Sequence, residues 1–280
     1  MAQVFVHGGV SGVRKAIPDI AACARTGAST ALDAVVEAVM ALEDHPELNA
    51  GFGACLTQSG TIELDAGIAH GPAGRAAGVA NVSVRHPIVL ARRVLEKTPH
   101  VLVAGDGAMA LGPDLEVLER TTDEQHDRWE KARAGGELGI ENFAAADKVD
   151  TVGAVCLGDD GALSCGSSTG GVFGKLPGRI GDSPIFGAGI YASPAATAVG
   201  TGVGELFLET LAAAHAGRLI EDGAHPQDAC ERVIASLATR SKAAAGLLAL
   251  DATGRHGAAY RGGSWAVAGP DGAIEARRVD

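Results

Sequence analysis

A threonine stands at the point where a charged stretch of the chain meets an apolar one. Thr151 follows Asp150 and begins the segment TVGAVCL. If the bond between these two residues were cut, the Thr151 hydroxyl would lie beside a free α-amino group, whose reference pKa of about 7.7 to 8 suits a base near neutral pH. One residue would then supply both nucleophile and base. A threonine that merely begins a strand is the ordinary alternative, because threonine favours strands.

Two charged residues further along could bind an amino acid. Arg179 and Asp182 lie in the segment PGRIGDSP. An arginine pairs bidentately with a carboxylate and an aspartate accepts hydrogen bonds from an ammonium group, so together they could hold the zwitterionic end of an α-amino acid. Taken alone, the two residues could equally form an ordinary surface ion pair.

Threonine recurs beside glycine at two further positions. Thr169 lies in SSTGG, and Thr201 and Gly202 lie in TGVGE. A hydroxyl and a backbone N–H in a glycine-rich turn can stabilise the oxyanion that forms during acyl transfer. Together with a threonine nucleophile, these residues would suit acyl transfer from an amino-acid substrate.

The composition favours a small substrate over a nucleic acid or a membrane. The 280 residues include 23 Lys and Arg against 34 Asp and Glu, a net charge of −11, whereas nucleic acids and anionic membranes attract basic surfaces. The first residues, MAQVFVHGGV, contain no basic region, and no apolar run approaches the about 18 residues of a membrane span, so we expect a cytoplasmic protein. Five cysteines without C-x-x-C spacing are expected to be buried free thiols: Cys23, Cys55, Cys156, Cys165 and Cys230.

Two other kinds of site are disfavoured by spacing. The segment TGGVFGKLPG resembles a phosphate-binding Walker A loop, but Thr169 and Leu176 stand where that loop requires Gly and Ser or Thr. The histidines are scattered without the H-x-x-x-H spacing of a zinc site. Neither ATP binding nor zinc chemistry is therefore expected.

The elements that must position the candidate residues suggest a sheet-based core covered by helices. A hydrophobic content of 46% permits one large core, and 4% aromatic residues with 40 glycines favour closely packed layers. Alternation predicts a strand over residues 2–7. Apolar spacing predicts two helices between Pro18 and Glu43, with Ser29 or Thr30 capping the second.

The rest of the first half contains a predicted hairpin, helix and short strand. The hairpin would have a loop at Asn49 to Gly53, a turn at 58–60 and its second strand over Thr61 to Asp65. A helix beginning at Pro87 is followed by VLVAG, which predicts a buried strand. The charged segment 119–150 is predicted to be an exposed linker, part of which could be helical.

The second half of the chain begins at Thr151. Two short strands around an Asp-Asp-Gly turn precede a loop rich in glycine and proline that reaches Tyr191. Helical spacing follows over Glu205 to Arg218 and over Pro226 to Ser236. The segments GLLALDATG and SWAVAGPDGAIEA predict terminal strands.

Several segments, taken in order, resemble the plant-type L-asparaginase and isoaspartyl peptidase family. They are HGG (7–9), LEDHPELNAGFG (42–53), IELDAGIAHG (62–71), HPIVLARRVLEKTPHVLVAGDGA (86–108), DTVGAVCL, SSTGG, PGRIGDSPIFGAGIYA (177–192) and TGVGE. This family is a branch of the N-terminal nucleophile hydrolases, which also includes glycosylasparaginase. The resemblance covers nearly the whole chain and implies a hydrolase of β-aspartyl amides such as isoaspartyl dipeptides and L-asparagine.

The resemblance also implies a fold and a processing event. The fold is α+β, the four-layer αββα sandwich of these hydrolases, in a single domain over residues 1–280. A precursor would cut itself between Asp150 and Thr151 into an α chain of residues 1–150 and a β chain of residues 151–280. The resemblance suggests a homodimer of the cleaved units, and it implies no cofactor for catalysis.

Roles for the residues follow from the same resemblance. Thr151 would be the nucleophile and Thr169 a second hydroxyl that assists it. Arg179 and Asp182 would clamp the α-carboxylate and the α-amino group of the substrate.

Two further features complete the implied site. Thr201 and Gly202 match the pair that stabilises the oxyanion, and Asn49 matches a residue that orients the nucleophile. A structural sodium ion would be bound by backbone carbonyls in the loop from Leu42 to Phe52. The carbonyls concerned belong to Leu42, Glu43, His45, Leu48, Ala50 and Phe52.

Three departures from the family leave the substrate and the self-cleavage open. Asp150 stands where the asparaginase branch usually has glycine and the glycosylasparaginase branch has aspartate. The segment before Thr201 is one residue shorter than usual, and Ser193-Pro194 replaces a common acidic or amide residue. The alternatives are therefore a glycosylasparaginase-like amidase and a non-cleaving, inactive homologue that acts as a binding protein.

Overall fold

The apolar segments of the chain form strands that assemble into two sheets. A computed structural model describes residues 2–9, 28, 30–138 and 151–280. In chain order, the strands within these ranges are β1 (Gln3–His7), β2 (Leu64–His70), β3 (Arg75–Val82), β4 (Leu102–Ala104), β5 (Val152–Leu157), β6 (Leu163–Thr169), β7 (Ile190–Ala192), β8 (Ala196–Gly202), β9 (Ala245–Asp251), β10 (His256–Arg261), β11 (Val267–Gly269), β12 (Gly272–Ile274) and β13 (Arg277–Arg278). The larger sheet has the order β12-β11-β1-β5-β6-β2-β3-β4, and the smaller one has the order β13-β10-β9-β8-β7.

Helices form where the apolar residues recur at helical spacing. Those within the described residues are α1 (Ala31–Glu43), α2 (Pro87–Lys97), α3 (Gly105–Met109), α4 (Asp123–Ala134), α5 (Gly204–Thr210), α6 (Ala212–Glu221) and α7 (Pro226–Ala238). Helix α1 begins where the Thr30 side chain accepts a hydrogen bond from the Asp33 N–H, and α2 begins at Pro87, whose missing N–H costs nothing in the first turn.

The helices and the sheets share three buried apolar clusters. Helices α1 and α2 contact strands of the larger sheet, including β2 and β6, and helices α6 and α7 contact β8 and β9 of the smaller sheet. The two sheets contact each other through β5 and β6 on one side and β8 on the other. A third cluster, which lies between them, includes Val155, Ile190, Val199 and Leu248.

The segment between β6 and β7 crosses the larger sheet at very short range. Gly67 of β2 lies under it, and a Cβ atom at this position would collide with the Ser183 carbonyl oxygen. Gly78 of β3 is equally constrained by Pro184. Glycine at these two positions therefore lets Ser183 and Pro184 lie directly on the sheet.

The structure confirms most of the predicted elements. Helix α1 and its Thr30 cap, helix α2, and the β5–β6 pair around the Asp-Asp-Gly turn all form as expected. The first of the two helices predicted after Pro18 lies outside the described residues. Four of the five cysteines are buried free thiols, as predicted, and Cys23 lies outside the described residues.

Two predictions in the first half are wrong. Residues 61–63 are not part of a strand, and the hairpin instead joins β2 to β3. The prediction missed β2 because its sequence, LDAGIAH, is buried on both faces and so lacks the alternation that marks a half-exposed strand. Strand β4 is not buried: it lies at the edge of its sheet, with the Leu102 side chain 44% exposed.

Helix α4 occupies part of the segment predicted to be an exposed linker. Its Trp129 Nε1 donates to the Thr57 carbonyl at 3.0 Å, and the Arg128 guanidinium lies 3.8 Å from the Phe173 ring centre. The helix is therefore docked against the loops after α1 and β6, although most of its residues are exposed. Residues 139–150 of this segment lie outside the described residues. No helix in the described part of the chain has the length and apolar character needed to cross a membrane.

Candidate active site

Three threonine hydroxyls meet where the ends of three strands come together. Thr151 lies directly before β5 and is 3% exposed, and its backbone N–H donates to Thr201 Oγ1 at 3.2 Å. Its hydroxyl donates to Thr169 Oγ1 at 3.2 Å. Since Thr169 ends β6 and Thr201 belongs to the smaller sheet, the cluster joins the two sheets. A nucleophile that carries its own base would use the N and Oγ1 atoms of Thr151. Each of these two atoms therefore contacts the hydroxyl of another threonine.

Strand register explains why two of these residues meet. In the antiparallel β5–β6 pair, Val152 lies opposite Ser168, so Thr151 comes opposite Thr169. Directly opposed residues of antiparallel strands have side chains on the same face, within reach of each other. The contact is thus set by backbone pairing rather than by side-chain flexibility.

Gly202 occupies a position that requires glycine. Its φ is +143°, and a Cβ atom there would lie 2.6 Å from the Ala244 carbonyl oxygen. The residue follows Thr201 at the end of β8. The Thr201 hydroxyl therefore lies beside Thr151 although the segment before it is shorter than usual, and Gly202 follows it directly in the chain.

Asn49 contacts the turn after Thr169 within the described residues. Its Nδ2 donates to the Gly171 carbonyl at 2.7 Å, and its Oδ1 accepts from the Cys55 N–H at 2.9 Å. The Gly171 N–H in turn donates to Thr169 Oγ1 at 3.0 Å. Asn49 is thus linked through Gly171 to the hydroxyl that contacts Thr151, and its role in orienting the nucleophile stays a prediction.

Asp182 is a buried carboxylate with an unsatisfied oxygen. The residue is 2% exposed, and its Oδ2 has no hydrogen-bond partner among the described residues. Burial raises the pKa of Asp182 to about 7, against the opposing effect of the Arg179 charge. A buried carboxylate oxygen of this kind is a ready acceptor for an ammonium group.

Arg179 is held by an acidic residue that sequence reasoning missed. Its Nε and Nη2 donate to the two carboxylate oxygens of Glu205 at 2.9 and 2.8 Å. The Arg179 side chain is 12% exposed. Burial opposes the charge of Glu205, but the hydrogen bonds from Arg179 outweigh it and lower the pKa of this carboxyl. These two hydrogen bonds orient the guanidinium. Glu205 lies in the segment TGVGE, in which the sequence analysis assigned it no role.

His7 is a second residue without a role in the sequence analysis. It ends β1 opposite Gly153 of β5, is fully buried, and lies 5.4 Å from Trp265 between ring centres. Burial is the main cause that lowers the pKa of His7 to about 4, against hydrogen bonding to the backbone of Gly8 and Thr151. The imidazole is therefore neutral near pH 7 and packs beside the nucleophile as an uncharged group.

The loop predicted to bind sodium contains converging carbonyls. A Cβ atom on Gly53 would collide with the Leu48 carbonyl oxygen and lie 2.9 Å from that of His45 and 2.7 Å from that of Pro46. The carbonyls of Leu48 and His45 each accept one backbone N–H within the loop. Oxygen ligands of this kind suit a hard cation, and the sodium ion stays a prediction.

We expect the Michaelis constant to depend on the ionisation of Asp182. Because its pKa is about 7, the carboxylate becomes neutral below that pH and loses its attraction for an ammonium group, so KM should rise up to about tenfold per pH unit. KM for a β-aspartyl dipeptide would be measured from about pH 5.5 to 8.5 for the wild type and for Asp182→Asn. The variant should show a high KM that no longer varies in this way, and a flat wild-type curve would contradict the assignment.

The same shift has a consequence for stability. Because the folded protein binds this proton more tightly than the unfolded chain, whose carboxyl has a pKa near 3.8, the free energy of unfolding contributed by Asp182 decreases as pH rises from about 4 to 7. This decrease in the free energy of unfolding applies only to the ligand-free protein, since a bound ammonium group would offset it.

The structure brings together the three threonines of the predicted site. Thr151 contacts both Thr169 and Thr201, and Arg179 and Asp182 lie on one loop. Asp150, the other half of the predicted cleavage site, lies outside the described residues.

Comparisons with known proteins place this geometry in a family. The family model described as "Asparaginase" matches residues 6–272. An isoaspartyl peptidase of Salmonella typhimurium is 44% identical over 80% of this chain and 76% of its own length, and one of Escherichia coli is 38% identical over 90% and 88%. A plant-type L-asparaginase of Thermococcus kodakarensis is 39% identical over 92% of both chains.

Proposed function

The chain belongs to the asparaginase family, and from this premise we propose that it hydrolyses β-aspartyl amides, both isoaspartyl dipeptides and L-asparagine, through an ester on Thr151. The observation that carries the proposal is the pair of contacts made by Thr151, whose N–H and hydroxyl each meet a threonine hydroxyl at 3.2 Å. A threonine that merely began a strand would need neither contact. Similarity to isoaspartyl peptidases and plant-type L-asparaginases supports the same chemistry.

The enzyme first has to generate its own catalytic amine. The Thr151 hydroxyl attacks the Asp150 carbonyl, the peptide bond shifts from nitrogen to oxygen, and water hydrolyses the resulting ester to release the Asp150 carboxylate and a free Thr151 amine. The N–H···Oγ1 contact with Thr201 supports this step, because it holds the nitrogen that leaves.

The same residue then attacks the substrate. The α-amine of Thr151 takes the hydroxyl proton as Oγ1 bonds to the β-carbonyl carbon, and the oxyanion is stabilised by the Thr201 hydroxyl and the Gly202 N–H. Collapse expels the leaving amine, which takes the proton from the ammonium group. Water then hydrolyses the aspartyl ester and releases aspartate. Thr201 is suited to this role because a hydroxyl accepts from one group while it donates to another.

Substrate selection follows from the charged loop. Arg179, whose guanidinium is oriented by Glu205, would bind the α-carboxylate, and Asp182 would bind the α-ammonium group at its unsatisfied Oδ2. Only an aspartyl group with both α substituents free meets these two requirements. An isoaspartyl linkage at an N-terminus provides them, whereas an ordinary α-peptide bond does not.

We expect a substrate panel to reveal this selectivity. The cleaved protein should hydrolyse β-aspartyl dipeptides and L-asparagine. It should leave α-aspartyl dipeptides untouched because they lack a free α-carboxylate, and N-acetylasparagine untouched because it lacks a free α-amine. Release of aspartate would be measured by chromatography, with glycosylated asparagine included to detect the related amidase activity. Equal turnover of α- and β-aspartyl dipeptides would contradict the proposed clamp.

The architecture proposed for this function is a single domain with a helix–sheet–sheet–helix order of four layers. The contacts of α1 and α2 with one sheet and of α6 and α7 with the other support it, as does the apolar cluster between the sheets. Cytoplasmic location stays a prediction from the sequence.

Two further parts of the proposal concern a cation and a second subunit. We propose that the carbonyls of the loop from Leu42 to Phe52 hold a structural sodium ion, while catalysis uses the chain's own hydroxyls and amine. We also propose a homodimer of cleaved units. Exposed apolar side chains support a second copy as partner: Leu102, Phe186 and Leu211 are 44, 41 and 52% exposed.

A further inference from the structure

We propose that Asp65 is a positioning residue for the substrate clamp, which it fixes relative to the nucleophile. The inference rests on the proposed function, since it assigns Arg179 and Asp182 to substrate binding. Asp65 lies in β2, is fully buried, and has no place in the chemistry described above. Its action would be indirect, through the backbone of the loop that carries the clamp.

Both carboxylate oxygens of Asp65 hold backbone groups from other parts of the chain. Oδ2 accepts from the Gly181 N–H at 3.0 Å, and Gly181 lies between Arg179 and Asp182. Oδ1 accepts from the Asn81 N–H at 3.0 Å. A buried carboxyl group is costly to desolvate unless such donors compensate for it, so an aspartate at this position favours a specific structural task.

The Asn81 contact explains how β2 can keep Asp65 in place. The register of the β2–β3 pair shifts between Leu64 and Ala66, next to Asp65, and Asn81 adopts a left-handed backbone with a φ of 53°. This irregularity turns the Asn81 N–H toward the carboxylate instead of toward a regular strand partner. Asp65 is therefore fixed on one side by the sheet and presents its other oxygen to the loop.

Sheet register places Asp65 in the same row as the nucleophile. Asp65 lies opposite Thr169 in the β2–β6 pair, and Thr169 lies opposite Thr151 across β5–β6. Opposed side chains share a face of the sheet. The same face carries Ala69, Cys165 and Val155, which lie in the apolar cluster between the two sheets. The hydrogen bond to Gly181 thus ties the clamp loop to the row that contains Thr151.

The loop has a second anchor, which makes the role of Asp65 testable. Ser183 Oγ lies 3.1 Å from Ser167 Oγ, and Ser167 Oγ lies 3.2 Å from the Val152 carbonyl oxygen. Loss of the Asp65 bond should therefore displace Gly181 and its neighbours without releasing the whole loop. The expected defect is in substrate binding rather than in the nucleophile.

Asp65→Asn tests the inference with little change in shape. An amide must present its NH₂ to one of the two N–H donors, so one hydrogen bond becomes a donor–donor contact. KM for a β-aspartyl dipeptide should rise about tenfold or more while kcat stays within about threefold, and the affinity for L-aspartate measured by calorimetry should fall in parallel. Self-cleavage should proceed, because Thr151 and its partners are retained.

Asp251→Asn is the matched control. Asp251 is also buried, and its Oδ1 accepts from the Thr253 and Arg255 N–H groups at 2.9 and 3.0 Å. It lies at the end of β9 opposite Ala196, whereas the site is at the other end of β8. This variant should lose thermal stability but keep the wild-type KM.

A double-mutant cycle separates positioning from general destabilisation. If Asp65 acts through the clamp, Asp65→Asn should raise KM much less in an Arg179→Ala background than in the wild type. An unchanged KM and L-aspartate affinity in folded Asp65→Asn, or equal effects in both backgrounds, would overturn the inference. Asp65→Ser, which creates space instead of a donor–donor contact, provides the same comparison if the asparagine variant does not fold. Absence of both turnover and L-aspartate binding in the wild type would instead refute the proposed function itself.

Discussion

Thr151→Ala should abolish both chain cleavage and amide hydrolysis. The substitution removes the only hydroxyl assigned to attack either carbonyl, so kcat should fall by at least about 10³-fold. Intact mass spectrometry should find a single species of 28.1 kDa, whereas the wild type should yield pieces of about 15 and 13 kDa, in proportion to the 150 and 130 residues on either side of the bond. Thr151→Ser, which keeps a hydroxyl, should still cleave.

Thr197→Ala is the control for the loss of a buried threonine hydroxyl. Thr197 is fully buried in β8, and its hydroxyl donates to the Tyr191 carbonyl at 2.9 Å, away from the Thr151 cluster. This variant should cleave and turn over substrate. A wild-type chain that stays intact after prolonged incubation at neutral pH would contradict the proposed self-cleavage and favour a binding protein.

Arg179→Ala should weaken substrate binding by roughly 10- to 150-fold. A charge-assisted hydrogen bond to a carboxylate is worth about 1.5 to 3 kcal/mol, and this loss should appear mainly in KM because the nucleophile is untouched. The variant also leaves Glu205 beside the α-carboxylate without its partner, which adds repulsion. Steady-state kinetics with a β-aspartyl dipeptide would measure the effect.

Arg93→Ala provides a matched removal of a paired arginine. The Arg93 guanidinium contacts both carboxylate oxygens of Asp114 at 2.6 and 2.7 Å, as Arg179 contacts those of Glu205, but on the α2 surface. KM should not change in this control. Wild-type KM and kcat in Arg179→Ala would refute the clamp.

The fold could be predicted where local signals agree with tertiary structure. Pro87 begins α2 and Thr30 caps α1, because both effects act within one helical turn. The helical spacing after Glu205 predicts one helix, but the structure has two helices, α5 and α6, separated at Leu211, which adopts a φ of 50°. The Gly187 and Ala188 carbonyls accept the first N–H groups of α6, so the break is stabilised by a distant segment rather than by a local glycine or proline.

The candidate site, too, could be predicted where local sequence signals suffice and could not where distant segments decide. Thr151 and Arg179 could be proposed as site residues from the sequence because their side chains have a chemistry that is recognisable in a motif. Asp65 and Glu205 could not, since each acts through a partner, and the partner of Asp65 is 116 residues away. Their importance depends on strand register and on the loop crossing, which only the folded chain reveals.

The strand order of the larger sheet determines what a cut before Thr151 would do to the molecule. β1 lies between β11 and β5, and β6 lies beside β2, so strands from before and after the cut are interleaved. The two pieces cannot separate without breaking the sheet, and the new terminus at Thr151 stays fixed at the start of β5. Once cut, however, an unfolded molecule is two chains, and its refolding becomes a bimolecular reaction that slows with dilution. Self-cleavage would therefore make folding a step that each molecule completes before it becomes active.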